Sequence, residues 1–137
     1  MDAEKLIEYA KQAREQAYAP YSGFKVGAAL LAHDGTVYEG CNIENAAFTP
    51  GNCAERTAFF KAVSEGQKEF DAIAIVGGDS FCAPCGVCRQ VMCEFCADTF
   101  KIIMTDGSSI RTCLLKELLP MSFGPDQIKN HRQEESV

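Results

Sequence analysis

Residues 72–88 read Ala72-Ile73-Ala74-Ile75-Val76-Gly77-Gly78-Asp79-Ser80-Phe81-Cys82-Ala83-Pro84-Cys85-Gly86-Val87-Cys88. The apolar run Ala72 to Val76, closed by two glycines, is what a strand covered on both faces looks like. Pro84 then opens a helix whose apolar residues Val87, Val91, Met92 and Phe95 repeat at helical spacing. A buried strand feeding a helix is the repeating step of an α/β fold. Cys85 and Cys88 fall in the first turn of that helix, and residues three apart share a face, so both thiols can reach one metal ion without bending the backbone.

A second helix start supplies more of the same chemistry. After a loop with Pro50 and Gly51, Ala58, Phe59, Ala62 and Val63 form one apolar face of a helix that stops at Gly66, which puts Cys53 and Glu55 at its beginning. Residues two apart lie about 200° around a helix, so these two can serve one centre only at its very end. Three soft ligands and an ionisable carboxylate suit a zinc site with its fourth position open to water, and that points to hydrolysis rather than a structural staple. Helix N-termini favour thiolates. Three thiolates on Zn²⁺ leave a charge of about −1, which weakens the ion's effect on its water unless cations compensate, and Arg56 and Arg89 are placed to do so.

The remaining pattern completes the architecture. Leu6, Ala10, Ala13 and Ala17 mark a first helix behind an Asp2 cap, ended by Pro20 and Ser22-Gly23. Phe24–Ala32 and Thr36–Ile43 are strand-like runs joined by His33-Asp34-Gly35, a hairpin signal that pairs them antiparallel. Thr99–Met104, an Asp106-Gly107 turn and Ile110–Leu114 give two further strands, with Lys116–Leu119 a short helix. The expected fold is a three-layer α/β/α sandwich on a five-stranded mixed sheet. Both cysteine stretches fall where helices begin beyond strand ends, where open α/β sheets collect ligands. One catalytic domain over residues 1–128 and a polar tail over 129–137 are expected.

The chain has 137 residues and a formal net charge of −6. That balance argues against a nucleic-acid partner, which clustered Lys and Arg would serve, and favours a small substrate. No signal-peptide pattern and no membrane-length apolar run is present, so a cytoplasmic location is expected and the eight cysteines read as metal ligands and reduced thiols. Cys41 and Cys113 lie in strand-like runs and read as packing residues. His33 and His131 read as surface residues, and Phe24, Phe48, Phe59 and Phe60 as core or packing residues by default.

Other readings of the cysteines weaken on inspection. A redox dithiol at Cys85 and Cys88 would need neither Cys53 nor Glu55. The run Cys82, Cys85, Cys88 lacks the fourth Cys followed by Pro of ferredoxins. Cys93 and Cys96 could complete a four-cysteine structural site, but they lie two turns or more along the same helix, and that site would leave Glu55 without a purpose.

Cys53-Ala54-Glu55 with Pro84-Cys85-x-x-Cys88 resembles the signature of the zinc nucleoside and nucleobase deaminases in its three-cysteine form. Around it, Phe24-Lys25-Val26-Gly27-Ala28-Ala29, Asn42-Ile43-Glu44-Asn45-Ala46, Cys53-Ala54-Glu55-Arg56-Thr57-Ala58 and Leu118-Leu119-Pro120-Met121-Ser122-Phe123-Gly124-Pro125 resemble the short homotetrameric cytidine deaminases. The resemblance implies deamination of cytidine and 2'-deoxycytidine in pyrimidine salvage. It implies one zinc per subunit on Cys53, Cys85 and Cys88, with Glu55 shuttling protons between the metal-bound water, ring N3 and the leaving amine. It further implies that Asn42 and Glu44 hold the ribose hydroxyls, that Phe24 stacks near the base, and that the Ala54 amide and Ala83 carbonyl meet the pyrimidine edge. Arg56 would hydrogen-bond the thiolates, and Phe123 would complete a neighbouring subunit's site in a homotetramer. Phe48 stands where many relatives have Tyr, and Cys82, Cys93 and Cys96 are thiols the family does not require. The alternatives are a deaminase of another aminated heterocycle such as blasticidin S, and a non-enzymatic structural-zinc or redox module.

Overall fold

Asp2 starts the first helix, as its position suggests: its carboxylate accepts the Lys5 N–H at 2.8 Å and caps α1 (Ala3–Arg14). The computed structural model describes residues 1–129. Of the expected tail only Lys129 is among them, in a helical stretch over residues 125–129, and the rest lies outside the described residues. Helix α1 ends well before Pro20, and Ala17 lies beyond it. The reason is tertiary: the Tyr18 N–H donates to the Asn42 carbonyl at 2.9 Å and Tyr18 bridges Ile43, so the chain leaves the helix to pair with a distant segment.

Five strands, β1 (Gly27–Ala32), β2 (Val37–Cys41), β3 (Phe70–Val76), β4 (Lys101–Thr105) and β5 (Ile110–Leu114), form one sheet in the order β2-β1-β3-β4-β5. The β1–β2 hairpin turns through Gly35 at φ +91°, as the Asp-Gly pair requires. Strand β1 starts three residues later than its apolar run, because the Asn42 amide takes over Phe24–Val26: its Oδ1 accepts the Val26 N–H and its Nδ2 donates to the Phe24 carbonyl. Strand β3 is antiparallel to β1 and parallel to β4, and β5 returns antiparallel.

The side chains alternate as a pleated sheet demands. Ala28, Leu30, Ala32, Ile73, Ile75, Ile102 and Met104 face α2 (Ala54–Ser64), α3 (Gly86–Phe95) and α4 (Leu115–Leu118) around Phe59 and Met92. Ala29, Ala72, Ala74, Val76 and Ile103 face Leu6, Ile7 and Ala10 of α1. This is the expected three-layer α/β/α sandwich on a five-stranded mixed sheet. Strands β2 and β3 both run antiparallel to β1 and therefore point the same way, so α2 and α3, the helices that follow them, begin at one edge of the sheet. Among the described residues no helix is long and apolar enough to cross a membrane.

Candidate active site

The edge shared by α2 and α3 gathers the chemistry. Cys53 is the N-cap of α2 and Cys85 the N-cap of α3, both in extended backbone conformation, and Cys88 is the third helical residue of α3. Pro84 and Cys85 thus stand just before the helix that the sequence places them in, which leaves the Cys85 side chain free of helical geometry. Gly40 in β2 lets α2 come this close: a Cβ there would lie 2.4 Å from the Ala54 carbonyl oxygen.

The three sulfurs lie within 4.8 Å of one another, with Cys53 to Cys85 at 3.7 Å and Cys85 to Cys88 at 3.5 Å. Tetrahedral zinc with Zn–S bonds of about 2.3 Å holds its sulfurs about 3.8 Å apart, so the set fits that ion. Among the described residues Cys53, Cys85 and Cys88 are the group placed to hold a metal, and Cys93 and Cys96 do not join it. All eight cysteines are free thiols.

Arg56 Nη2 donates to Cys53 Sγ at 3.4 Å, and its Nε is buried with no partner among the described residues. The Cys88 thiol and the Arg56 guanidinium hold the Cys53 thiol down at about 5, while Cys88 is pushed up because it keeps the shared proton and is desolvated. Arg89, to which the sequence gives the same compensating task as Arg56, does something else. It donates to the Pro84 and Leu118 carbonyls, each at 2.8 Å, and so fastens the loop before Cys85 to the end of α4. Glu55 is 4% exposed, and burial raises its carboxyl to about 6 against the pull of Cys88 and Arg56. A carboxylate poised near neutrality beside a metal position suits proton transfer.

A cleft of about 450 Å³ leads to Cys53 and Arg56, walled by Tyr21, Ser22, Asn42, Glu44 and Phe48 among others. Asn42 spends one oxygen and one N–H on the backbone of Val26 and Phe24. Glu44 accepts the Tyr21 N–H at 3.0 Å, the Ser22 N–H at 3.1 Å and the Ser22 hydroxyl, bonds that lower its pKa. Two of the residues expected to meet substrate, Asn42 and Glu44, thus wall the same cleft as Cys53. Phe24 and Phe123 do not line this cleft. The Phe24 ring lies over Gly77 and Gly78, and Cys82, which also approaches Gly77, has its thiol pushed up to about 11 by burial and by the nearby Glu55 and Cys53. Phe123 is 63% exposed, its carbonyl accepting from Gln90 at 2.8 Å, and Ala83 is exposed while Ala54 is buried. Ser22, missing from the expected set, sits in an irregular loop where neither periodicity nor motif marks it.

Residues 1–104 match the family model described as the cytidine and deoxycytidylate deaminase zinc-binding region. The chain is 53% identical over 130 residues to a cytidine deaminase of Sporosarcina psychrophila, covering 93% of this chain and 96% of that one. It is 50% identical over 132 residues to a cytidine deaminase of Halalkalibacterium halodurans, covering 95% and 100%. In three dimensions it matches the crystal structure of cytidine deaminase from Burkholderia pseudomallei with a TM-score of 0.86 at 51% identity, over 90% of this chain and 100% of that one. Converging thiols, a buried carboxylate at a helix start and likeness along nearly the whole length agree, and the chain belongs to the cytidine and deoxycytidylate deaminase zinc-binding family.

Proposed function

We propose that this protein hydrolyses cytidine and 2'-deoxycytidine to uridine and 2'-deoxyuridine with release of ammonia. The observation that carries this reading is Glu55, buried beside a trio of converging thiols, one of which, Cys53, lines a cleft that also presents Asn42 and Glu44. Zinc on Cys53, Cys85 and Cys88, when bound, supplies a Lewis acid that brings the pKa of water towards neutrality. Glu55 then takes a proton from the attacking water and delivers it to ring N3, and a second transfer through the same carboxylate protonates the amine. A C4–O bond forms, the C4–N bond breaks, and ammonia leaves. The Ala54 N–H, in the first turn of α2 where helices leave donors unpaired, and the Ala83 carbonyl meet the pyrimidine edge. Asn42 and Glu44 hold the ribose hydroxyls, and Phe24 packs beside the base.

Exposed Phe123 completes a neighbouring subunit's site in a homotetramer, which sizing in solution tests. Eight free thiols suit a cytoplasmic location. Zinc-loaded protein is expected to consume cytidine and deoxycytidine with loss of the aminopyrimidine absorbance and equal release of ammonia. Glu55→Gln is expected to retain zinc and lose roughly 10²- to 10⁴-fold in turnover. Folded, zinc-loaded protein that leaves both nucleosides untouched would move the reading to another aminated heterocycle such as blasticidin S. Failure on a wider panel would move it to a structural-zinc module.

A further inference from the structure

The loop between α1 and β1 is closed by backbone bonds and by the Asn42 side chain, which holds Phe24 and Val26. The Gly23 N–H donates to the Ala19 carbonyl at 2.9 Å, with Gly23 at φ +71°, and Tyr18 pairs with Asn42 and Glu44 through its N–H and carbonyl. These bonds turn the Tyr21 and Ser22 N–H groups onto Glu44 Oε1, at 3.0 and 3.1 Å. The Ser22 hydroxyl is therefore surplus to closing the loop, yet it is held from two sides. Its oxygen accepts the Phe24 N–H at 3.0 Å, which fixes where Oγ sits, and its proton goes to Glu44 Oε2.

A carboxylate offers about four acceptor positions. Three of those of Glu44 are taken by this loop, two on Oε1 and one on Oε2, which leaves the fourth on Oε2, and Glu44 lines the cleft that runs on to Cys53 and Arg56. The oxygen left free for a ligand hydroxyl is the one whose orientation the Ser22 hydroxyl sets.

We propose that Ser22 is a positioning residue for sugar recognition: its hydroxyl, pinned by the Phe24 N–H, fixes Glu44 Oε2 as the acceptor for a hydroxyl of the nucleoside ribose. The inference rests on the nucleoside-deaminase reading above. It places the effect of Ser22 on sugar binding and leaves the chemical step to Glu55.

The test compares wild type, Ser22→Ala and Ser22→Thr on cytidine and on 2',3'-dideoxycytidine, which lacks the hydroxyls Glu44 would accept, with zinc content and Tm measured on each. The expected result for Ser22→Ala is a KM for cytidine raised about tenfold, the low end for a hydrogen bond to an exposed charged group. Its kcat should stay within about twofold, and its kcat/KM on the dideoxy substrate within about twofold of wild type. Ser22→Thr, which keeps the hydroxyl, should restore the cytidine KM. A partly unfolded preparation lowers both substrates alike and cancels in their ratio. Should Ser22→Ala fail to fold, Ser22→Cys, with a weak donor of similar size, is read by the same ratio. An equal loss on both substrates, or an unchanged KM for cytidine, overturns the proposal while leaving the deaminase reading intact. Wild type inert on cytidine overturns that reading and the proposal with it.

Discussion

Gly40→Ala should damage the active site from the far side of a helix. A Cβ on Gly40 would lie 2.4 Å from the Ala54 carbonyl oxygen and 2.5 Å from the Ala58 N, both backbone atoms of α2. Ordinary contact between such atoms is about 3.5 Å, so no rotamer change relieves the clash and the first turn of α2 must retreat by roughly 1 Å. Overpacking of this kind costs about 1–3 kcal/mol. For a domain of this size that lowers Tm by roughly 3–10 °C. The same turn carries Cys53, Ala54 and Glu55, and misplacing reacting groups by about 1 Å can cost about a hundredfold in rate. The assay is thermal melting, zinc per chain and kcat/KM on cytidine, with Gly86→Ala as the comparison. A Cβ at Gly86, the first residue of α3, meets nothing within 4 Å, so that variant should match wild type or gain about 0.5 kcal/mol. Gly40→Ala that keeps its zinc and activity and melts within 2 °C of wild type, less than a cost of about 1 kcal/mol would produce, would refute the claim that β2 sets the position of the ligand-bearing turn.

Cys82→Ser should leave zinc content and turnover unchanged, because Cys82 lies outside the thiol cluster; loss of metal in that variant would overturn the ligand assignment. Phe59→Ala removes a fully buried ring that meets Phe70, Phe95 and Phe100, with centroids 5.2–6.3 Å apart, and should cost about 3–5 kcal/mol in chemical denaturation. A cost below about 1 kcal/mol would mean that the layer between sheet and helices is not packed as described. Arg89→Ala frees the Pro84 and Leu118 carbonyls together, so hydrogen exchange should quicken around residues 82–88 and 118–123, and Arg89→Lys, without the planar fork, should not restore both. Unchanged exchange in either segment would separate the two.

What the sequence discloses is local chemistry and period. Asp2 as a cap, Asp34-Gly35 as a hairpin turn and the both-faces-buried run Ala72–Val76 each need only neighbouring residues to be understood, and each stands where expected. The ligand trio is legible for the same reason, since two helix starts with thiols imply one centre once they share a sheet edge. The errors arise where a distant segment decides. Ala17 keeps helical spacing, but pairing of Tyr18 with the chain around Ile43 ends α1 first. Phe24–Val26 look like strand until the Asn42 side chain claims their backbone. Arg89 has the charge for the thiolates and the reach for two carbonyls, and only the fold shows which it meets. Ser22 and Gly40 matter through what they meet in another segment, Glu44 for one and the backbone of α2 for the other, which leaves no periodic trace.

The same topology resolves opposing demands on two groups that are two residues apart. Cys53 has to ionise to hold a metal, and Glu55 has to hold its proton more tightly than a free carboxylate if it is to move one near neutrality. Placing Cys53 at the N-cap of α2 sets it within reach of the Cys88 thiol, the Arg56 guanidinium and the Cys85 thiol, whose hydrogen bonds lower its pKa to about 5. Glu55, two positions further, points into the protein at 4% exposure, where lost solvation outweighs its backbone hydrogen bond, Cys88 and the same arginine and raises it to about 6. A strand pair running in one direction, with α2 and α3 beginning at one edge, brings Cys85 and Cys88 to that point from the second helix. Separating the two acids by burial rather than by distance is what allows three thiols and a carboxylate to share one small site in a chain of net charge −6.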